Sequence, residues 1–390
     1  MTPPEIDIGG TRVDELLRGE ADRSIPVPFE ELKAAAREHL DREAFDYLAG
    51  GAGAEQTVSG NRQAFDTWRI RPAMLRGISE VDLGVTLCGT EYAVPLWLAP
   101  VGAQTLFYKD GEVATASAAA KTNVPMILSS TASRSIEAVA ESGGDAPRWF
   151  QLYPCADQAV TESLVSRAEA AGYEAIVITV DTPSFAWRER DLQNRFHPMH
   201  ENHRPANYFT DPSFRAGLDT PPEDDLDSAY DRFHNLFLDP DLDWEAVGDI
   251  AGSTDLPVLI KGILRADDAR RAIECGADGV VVSNHGGRQV DRAIASLHAL
   301  PEVADAVGDE GAVLFDGGVR RGSEAFIAVA LGADAVCVGR PYLYGLAVAG
   351  ADGVTDVLIN LLTDIHSALA QTGHESVPAV DRDAVTRVPK

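Results

Sequence analysis

Between residues 95 and 340 the sequence alternates eight short apolar runs with Ala-rich stretches of helical period, the pattern of consecutive parallel βα units. The runs span residues 95–101, 125–130, 148–153, 174–181, 257–262, 279–285, 312–317 and 335–340. Most are near-continuous in Val, Ile, Leu and Phe, as strands buried on both faces require. Eight such units in order predict an α/β fold, a (β/α)8 TIM barrel.

The intervening helices carry Ala and Leu at helical spacing and end on glycine. Gly172, Gly276 and Gly332 each stand where a helix must stop, the last two as Gly-Ala-Asp immediately before a strand. Ahead of the barrel, residues 29–49 read as two helices ending at Gly50-Gly51, and residues 68–87 as an irregular lead-in. These are expected to close the bottom of the barrel or pack beside its mouth. Residues 182–241 break the regular spacing after strand four. A loop that long at the catalytic end of a barrel is a lid or a binding loop, so it is expected to cover the site. The chain is thus expected to be one domain over residues 1–390. It comprises N-terminal helices and lead-in (29–94), barrel (95–349), lid insertion (182–241), and C-terminal helix and tail (350–390).

Composition narrows the partners. The 61 acidic residues against 33 basic ones give a net charge of −28, which argues against a nucleic-acid surface. It leaves room for an anionic substrate in a locally positive pocket. Only five residues are lysines: Lys33, Lys109, Lys121, Lys261 and Lys390. With acidic runs such as Glu223-Asp224-Asp225, this reads as a solvated acidic surface adapted to high salt, an ordinary acidic protein being the alternative. The four cysteines are widely spaced, with no Cys-x-x-Cys pair to suggest zinc or a disulfide framework. No run of about 18 apolar residues and no signal-like start are read, so a cytoplasmic protein without a membrane span is expected.

In a barrel the active site forms at the carboxyl ends of the strands. Nearly every run here ends on a polar residue or glycine: Gly102, Ser129, Gln151 with Tyr153, Thr179 with Asp181, Lys261, Ser283 with His285, Asp316 with Gly317-Gly318, and Gly339-Arg340. Singly each has a plain explanation as a turn former, a helix cap or a solvated side chain. Converging on one mouth, they form a site. His285 changes charge near neutral pH, as a general base must, and Asp181 is placed to orient it. Gly286-Gly287 opens room for a ligand. Arg188 and Arg288 offer planar forks for a carboxylate. The stretches Asp316-Gly317-Gly318-Val319-Arg320-Arg321-Gly322 and Gly339-Arg340 follow strands seven and eight, where barrels often bind phosphate. No Gly-x-Gly-x-x-Gly opens a helix after the first strand, so a mononucleotide such as FMN fits better than a dinucleotide.

At these residues the sequence resembles the FMN-dependent family that oxidises 2-hydroxy acids, which includes glycolate oxidase, lactate oxidase, lactate monooxygenase and mandelate dehydrogenase. Ser283-Asn284-His285-Gly286-Gly287-Arg288-Gln289, the Asp-Gly-Gly-Val-Arg-Arg-Gly stretch and Gly339-Arg340-Pro341 carry the resemblance, which runs from about Phe29 to about Ser367. It implies oxidation of an (S)-2-hydroxy acid, foremost L-lactate, with His285 as base and Asp181 behind it. It implies that Arg188 and Arg288 bind the substrate carboxylate and that Tyr47 and Tyr153 contact its oxygens. Lys261 would stabilise the negative charge of reduced flavin. Pro100, Val101, Gly102, Ser129, Gln151, Thr179 and Ser283 would contact the ring and ribityl parts. Asp316, Gly317, Gly318, Arg320, Gly339 and Arg340 would hold ribityl and phosphate.

Within the family the likeness is greatest to lactate monooxygenase, through Phe185-Ala186-Trp187-Arg188 and the insertion bearing Ala206-Asn207-Tyr208-Phe209. The Asp-Gly-Gly-Val-Arg-Arg stretch looks more like the oxidases. The family position beside the flavin N5 is Gly or Ala, and here it is Gly102, whose size is thought to affect access of oxygen. The acceptor is therefore oxygen or an electron-transfer partner such as a quinone or cytochrome, and the family implies a homotetramer or homo-octamer. Another FMN barrel, such as type 2 isopentenyl diphosphate isomerase, would leave His285, Arg288 and Asp181 unexplained. His197, His200 and His203 recur every third residue, but Pro198 and Pro205 prevent one continuous helix, and no metal is expected there.

Overall fold

Each apolar run becomes a strand, shorter than the run because its polar end already belongs to the following loop. In the computed structural model, which describes residues 8–198 and 203–388, the strands are β1 (Leu96–Leu98), β2 (Met126–Ser129), β3 (Arg148–Leu152), β4 (Ile176–Thr179), β5 (Val258–Ile263), β6 (Gly279–Val282), β7 (Ala312–Phe315) and β8 (Ala335–Val338). All pair in parallel, and β8 pairs with β1 to close the barrel. Both faces of the strands are buried, and most of their apolar side chains are fully so, each contributing about 1.5–3 kcal/mol relative to exposure. The one irregularity in register falls between Lys261 and Ile263, at Gly262.

Four helices precede the barrel: α1 (Gly10–Arg18), α2 (Phe29–His39), α3 (Arg42–Ala49) and α4 (Gln56–Phe65). The lead-in holds two short strands, Trp68–Ile70 paired with Val385–Arg387 near the C-terminus, and Val85–Leu87 paired with Thr90–Tyr92. The barrel helices α5 (Glu112–Thr122), α6 (Ile136–Gly143) and α7 (Gln158–Ala170) follow β1 to β3. Gly172, Gly276 and Gly332 all adopt left-handed φ (72°, 93° and 110°), which ends the helix before each without the Cβ strain another residue would suffer.

The 182–241 insertion folds into helices α8 (Glu189–Asn194), α9 (Ala206–Phe209), α10 (Pro212–Ala216) and α11 (Leu226–Leu236). Its second half has an aromatic core of its own, in which Tyr208, Phe214 and Phe233 are fully buried. Asn207 fastens that half to the barrel: its Nδ2 donates to Ser129 O and Ser130 O, and its Oδ1 accepts from Ile136 N.

After β5 to β8 come α13 (Ala266–Glu274), α14 (Ser296–Val307), α15 (Gly322–Ala330) and α16 (Arg340–Thr372), with α12 (Trp244–Ala251) ahead of β5. The α16 helix kinks at Ala349-Gly350, where Gly350 has φ 59°. Among the described residues it is the one helix long and apolar enough to cross a bilayer, a segment the sequence reading passed over. It is built as a core helix here: Leu346, Val354, Leu358 and Leu362 are buried, and it packs against α2, α5 and α15.

Candidate active site

The polar strand ends meet around a cavity of about 540 Å³ at the carboxyl mouth of the barrel. Its wall includes Tyr47, Pro100, Val101, Gly102, Ser129, Tyr153, Arg188, Lys261, His285, Arg288, Asp316, Gly317, Gly318, Arg320, Gly339 and Arg340. Asp181, Gln151, Thr179 and Ser283 are not part of that wall; they hold or flank residues that are. Sequence reasoning missed Thr131, Phe107, Phe196 and Phe237, which also line it. Thr131 stands two residues past the end of β2, but the others are apolar and carry no motif.

At the centre, His285 Nδ1 lies 2.8 Å from Asp181 Oδ1. The imidazole sits in a left-handed turn (φ 58°) that continues through Gly286 and Gly287, a conformation costing on the order of 1 kcal/mol for a residue with a Cβ. Burial lowers the His285 pKa; Asp181 opposes that shift, while Lys261 and Arg188 reinforce it. Burial raises the Asp181 pKa, but the charges of His285 and Lys261 outweigh it and hold the carboxyl below its usual range. The resting pair is therefore a neutral imidazole donating Nδ1–H to a carboxylate, which leaves Nε2 free to accept a proton. Gly262 makes this approach possible, because a Cβ there would lie 2.7 Å from Asp181 Cβ.

Beside the pair, Lys261 Nζ donates to Ser283 Oγ at 2.9 Å and lies 3.3 Å from Asp316 Oδ2. Ser283 Oγ in turn donates to Asp316 at 2.7 Å and accepts from His285 N at 2.9 Å. Burial works against the Lys261 charge, but Asp316 and Asp181 raise its pKa, so it is a permanent cation. Burial and the Asp181 charge push the Tyr153 hydroxyl up to about 12, keeping it a donor.

Two arginines flank this centre. Arg288 lies over the Tyr47 ring (4.6 Å) and donates to Tyr47 O and Gly50 O. Arg188 donates to Arg288 O and Gln289 Oε1. Burial and the neighbouring Arg288 both lower the Arg188 pKa. At the far side Arg320 lies over Phe29 (4.8 Å), and Arg340 donates to Leu48 O, Gly286 O and Gly50 O. These bonds place α3 at the mouth of the barrel. Burial lowers the pKa of both Arg320 and Arg340, and so does the nearest guanidinium: Arg340 for Arg320, and Arg288 for Arg340. Six cationic side chains against two acidic ones in the wall make a positive cavity inside a protein of net charge −28. Such a cavity binds anions.

Residues 36–387 match the family described as FMN-dependent dehydrogenase. The chain belongs to that family. It is 42% identical over 357 residues to an L-lactate oxidase of Lysinibacillus sphaericus (strain C3-41), covering 92% of each chain. It is 40% identical over 356 residues to 2-hydroxyacid oxidase 1 of Homo sapiens, covering 91% of this chain and 95% of that one. A crystal structure of mandelate oxidase superposes with a TM-score of 0.83 at 40% identity, covering 93% and 98% of the two chains.

As a member of this family the protein is an FMN-dependent oxidoreductase, and the cavity fits the cofactor. Among the described residues Gln151 Nε2, Thr179 Oγ1 and Arg320 Nε are buried polar atoms without a hydrogen-bond partner, groups that a polar cofactor would satisfy. Gly317 and Gly318 line the cavity at φ values of 114° and 107°, and a Cβ on them would meet Ser296 Oγ at 2.6 Å and Asn61 O at 2.9 Å, so only glycine fits there.

The histidine triplet does not come together in one described cluster. His203 Nδ1 lies 3.0 Å from Thr105 Oγ1, His197 lies against Phe185 and His234, and His200 falls outside the described residues.

Proposed function

We propose that this enzyme oxidises an (S)-2-hydroxy acid, foremost L-lactate, to the 2-oxo acid, and that oxygen reoxidises it. The observation that carries this reading is the neutral His285, backed by Asp181, in one cavity with Arg188 and Arg288. A base beside two planar cations is what a 2-hydroxy carboxylate requires. In this reading the guanidinium groups bind the carboxylate, and Tyr153 and Tyr47 hold the substrate oxygens. His285 Nε2 accepts one of the two protons the substrate loses, the other hydrogen departs with the electron pair, the C2–O bond becomes a double bond, and Asp181 stabilises the imidazolium that results. FMN, when bound, supplies the two-electron acceptor. Lys261 places a permanent positive charge where electron density accumulates. Gly102, Ser129, Gln151 and Thr179 form the ring and ribityl side of its site, and Asp316, Gly317, Gly318, Arg320, Gly339 and Arg340 the ribityl and phosphate side.

The relatives named as oxidases support oxygen as the acceptor. A second outcome, retention of the oxo acid and its decarboxylation by peroxide, is favoured by the part of the insertion that lines the cavity, Phe185, Phe196 and Phe237 among it. Four free thiols support a reducing compartment such as the cytoplasm, and the enzyme is taken to work as a homo-oligomer.

The test is direct. Purified protein should release FMN on denaturation, and L-lactate should bleach its flavin absorbance without air. Colourless protein, or flavin untouched by L-lactate, glycolate and L-mandelate alike, would overturn the reading. Aerobic turnover then separates the outcomes, pyruvate with peroxide marking the oxidase, acetate with CO₂ the monooxygenase.

A further inference from the structure

Asn61 on α4 and Asn284 in the His285 loop face each other as a closed amide pair. Asn61 Nδ2 donates to Asn284 Oδ1 at 2.8 Å, and Asn284 Nδ2 donates to Asn61 Oδ1 at 2.7 Å. Both side chains are buried, at 1% and 5% exposure, in a region where water cannot replace a lost partner. The ring has outward branches. Asn284 Oδ1 also accepts Gly287 N at 3.1 Å, Asn284 Nδ2 also donates to Ile294 O at 3.0 Å, and Asn61 Oδ1 also accepts Ser296 N at 3.3 Å.

These bonds enclose the catalytic turn. His285, Gly286 and Gly287 all stand at positive φ (58°, 62° and 79°), and a histidine there is held against its own backbone preference. The clamp is the Asn284 amide, whose oxygen must face Gly287 N and whose nitrogen must face Ile294 O. Asn61 fixes that orientation, because a flipped Asn284 amide would set donor against donor and acceptor against acceptor across the ring.

We propose that Asn61, which is far from His285 in the chain and outside the family motif, is a positioning residue for the base. It acts through Asn284 to hold the strained 285–287 turn, so that His285 Nε2 keeps its aim while Nδ1 stays on Asp181. The inference rests on the reading of His285 as base. Its alternative is that Asn61 serves the cofactor loop, since Asn61 O lies 2.9 Å from where a Cβ on Gly318 would stand.

Asn61→Leu removes the ring without adding charge, and Asn61→Ser serves if the leucine variant does not fold. In the FMN-loaded enzyme the rate of anaerobic bleaching at saturating L-lactate should fall about 10²-fold, the scale of a misplaced catalytic group, with the substrate Kd changed less than threefold. In a His285→Gln background the same substitution should cost nothing further. Thr57→Val breaks another α4 contact to this loop, the Thr57 Oγ1 bonds to Val290 O and Ala293 N, and leaves the ring intact. It should slow bleaching far less. Full-rate bleaching by the Asn61 variant, an additive loss in the His285→Gln background, an equal loss from Thr57→Val, or a loss explained by released FMN would each overturn the inference. If His285→Gln itself bleaches at the parent rate, the base reading fails and this inference falls with it.

Discussion

The chemistry turns on a few atoms whose protonation the fold has arranged. Because burial sets the His285 pKa below its usual value, the imidazole proposed as base is already neutral at pH 7. The acid limb of kcat/KM should therefore lie below pH 6.5, activity being lost as pH falls and the imidazole protonates. His285→Gln should keep its flavin and lose roughly 10²–10⁴-fold in bleaching rate. Asp181→Asn removes the charge that raises the His285 pKa. Its acid limb should move to still lower pH even as the rate drops, and a shift to higher pH would contradict the pairing. Gly102 is fixed by packing as well as by chemistry, because a Cβ there would meet Thr131 Oγ1 at 2.2 Å and Thr131 O at 2.8 Å. The backbone atom cannot swing away, so Gly102→Ala should destabilise by about 1–3 kcal/mol in urea unfolding.

At the scale of elements, a few buried and half-buried polar side chains tie the insertion to the barrel, Asn207 from the insertion and Arg167 from α7 foremost. Asn207 is fully buried and satisfies two carbonyls and one N–H of the β2 end and the α6 start. Asn207→Ala leaves Ile136 N and Ser130 O without that partner, while Ser129 O keeps its bond from Ala132 N, and should cost about 2 kcal/mol or more. Limited proteolysis should then cut within residues 182–241 well before the barrel, and uniform cutting would refute the anchoring role. The sequence made the barrel legible because strands buried on both faces must be apolar throughout, and because helix stops need glycine at positive φ, as at Gly172, Gly276 and Gly332. The polar site residues were legible because an apolar run has little other reason to end on Lys261 or Asp181. What escaped reading has equally physical causes. The pairing of Trp68–Ile70 with Val385–Arg387 joins segments more than 300 residues apart. The insertion read as a loop because its short helices α9 and α10 are set by tertiary aromatic packing rather than by an amphipathic period. Helix α16 passed as ordinary because Asp352, Asp356 and Asp364, on or near its solvent side, interrupt the apolar run along the sequence. Asn61 carried no signal, since its partner lies 223 residues away.

Over the whole molecule, charge and fold pull in opposite directions. The barrel mouth concentrates cations that hold anions, while the surface carries the surplus that leaves the chain at −28. Many surface carboxylates are already paired, as Glu137 is with Arg167, Glu223 with Arg215, and Asp305 with Arg382. Each exposed pair contributes at most about 1 kcal/mol, and added salt weakens it. The unpaired surplus behaves the other way, because screening relieves repulsion among carboxylates that have no cation nearby. Shortening the screening length from about 10 Å at 0.1 M salt to about 3 Å at 1 M removes most of that repulsion. With an excess of 28 negative charges, relief should outweigh the loss of a handful of exposed pairs. A net gain of a few kcal/mol would raise Tm by roughly 2–5 °C between 0.1 and 1 M potassium chloride. If screening is the cause, the rise should level off near 1 M and be similar for chloride and nitrate. A rise that continues linearly and appears only with sulfate would instead mark general exclusion from the protein surface. A Tm that falls with chloride would show that the ion pairs outweigh the surplus and that the acidic surface serves some end other than life in salt.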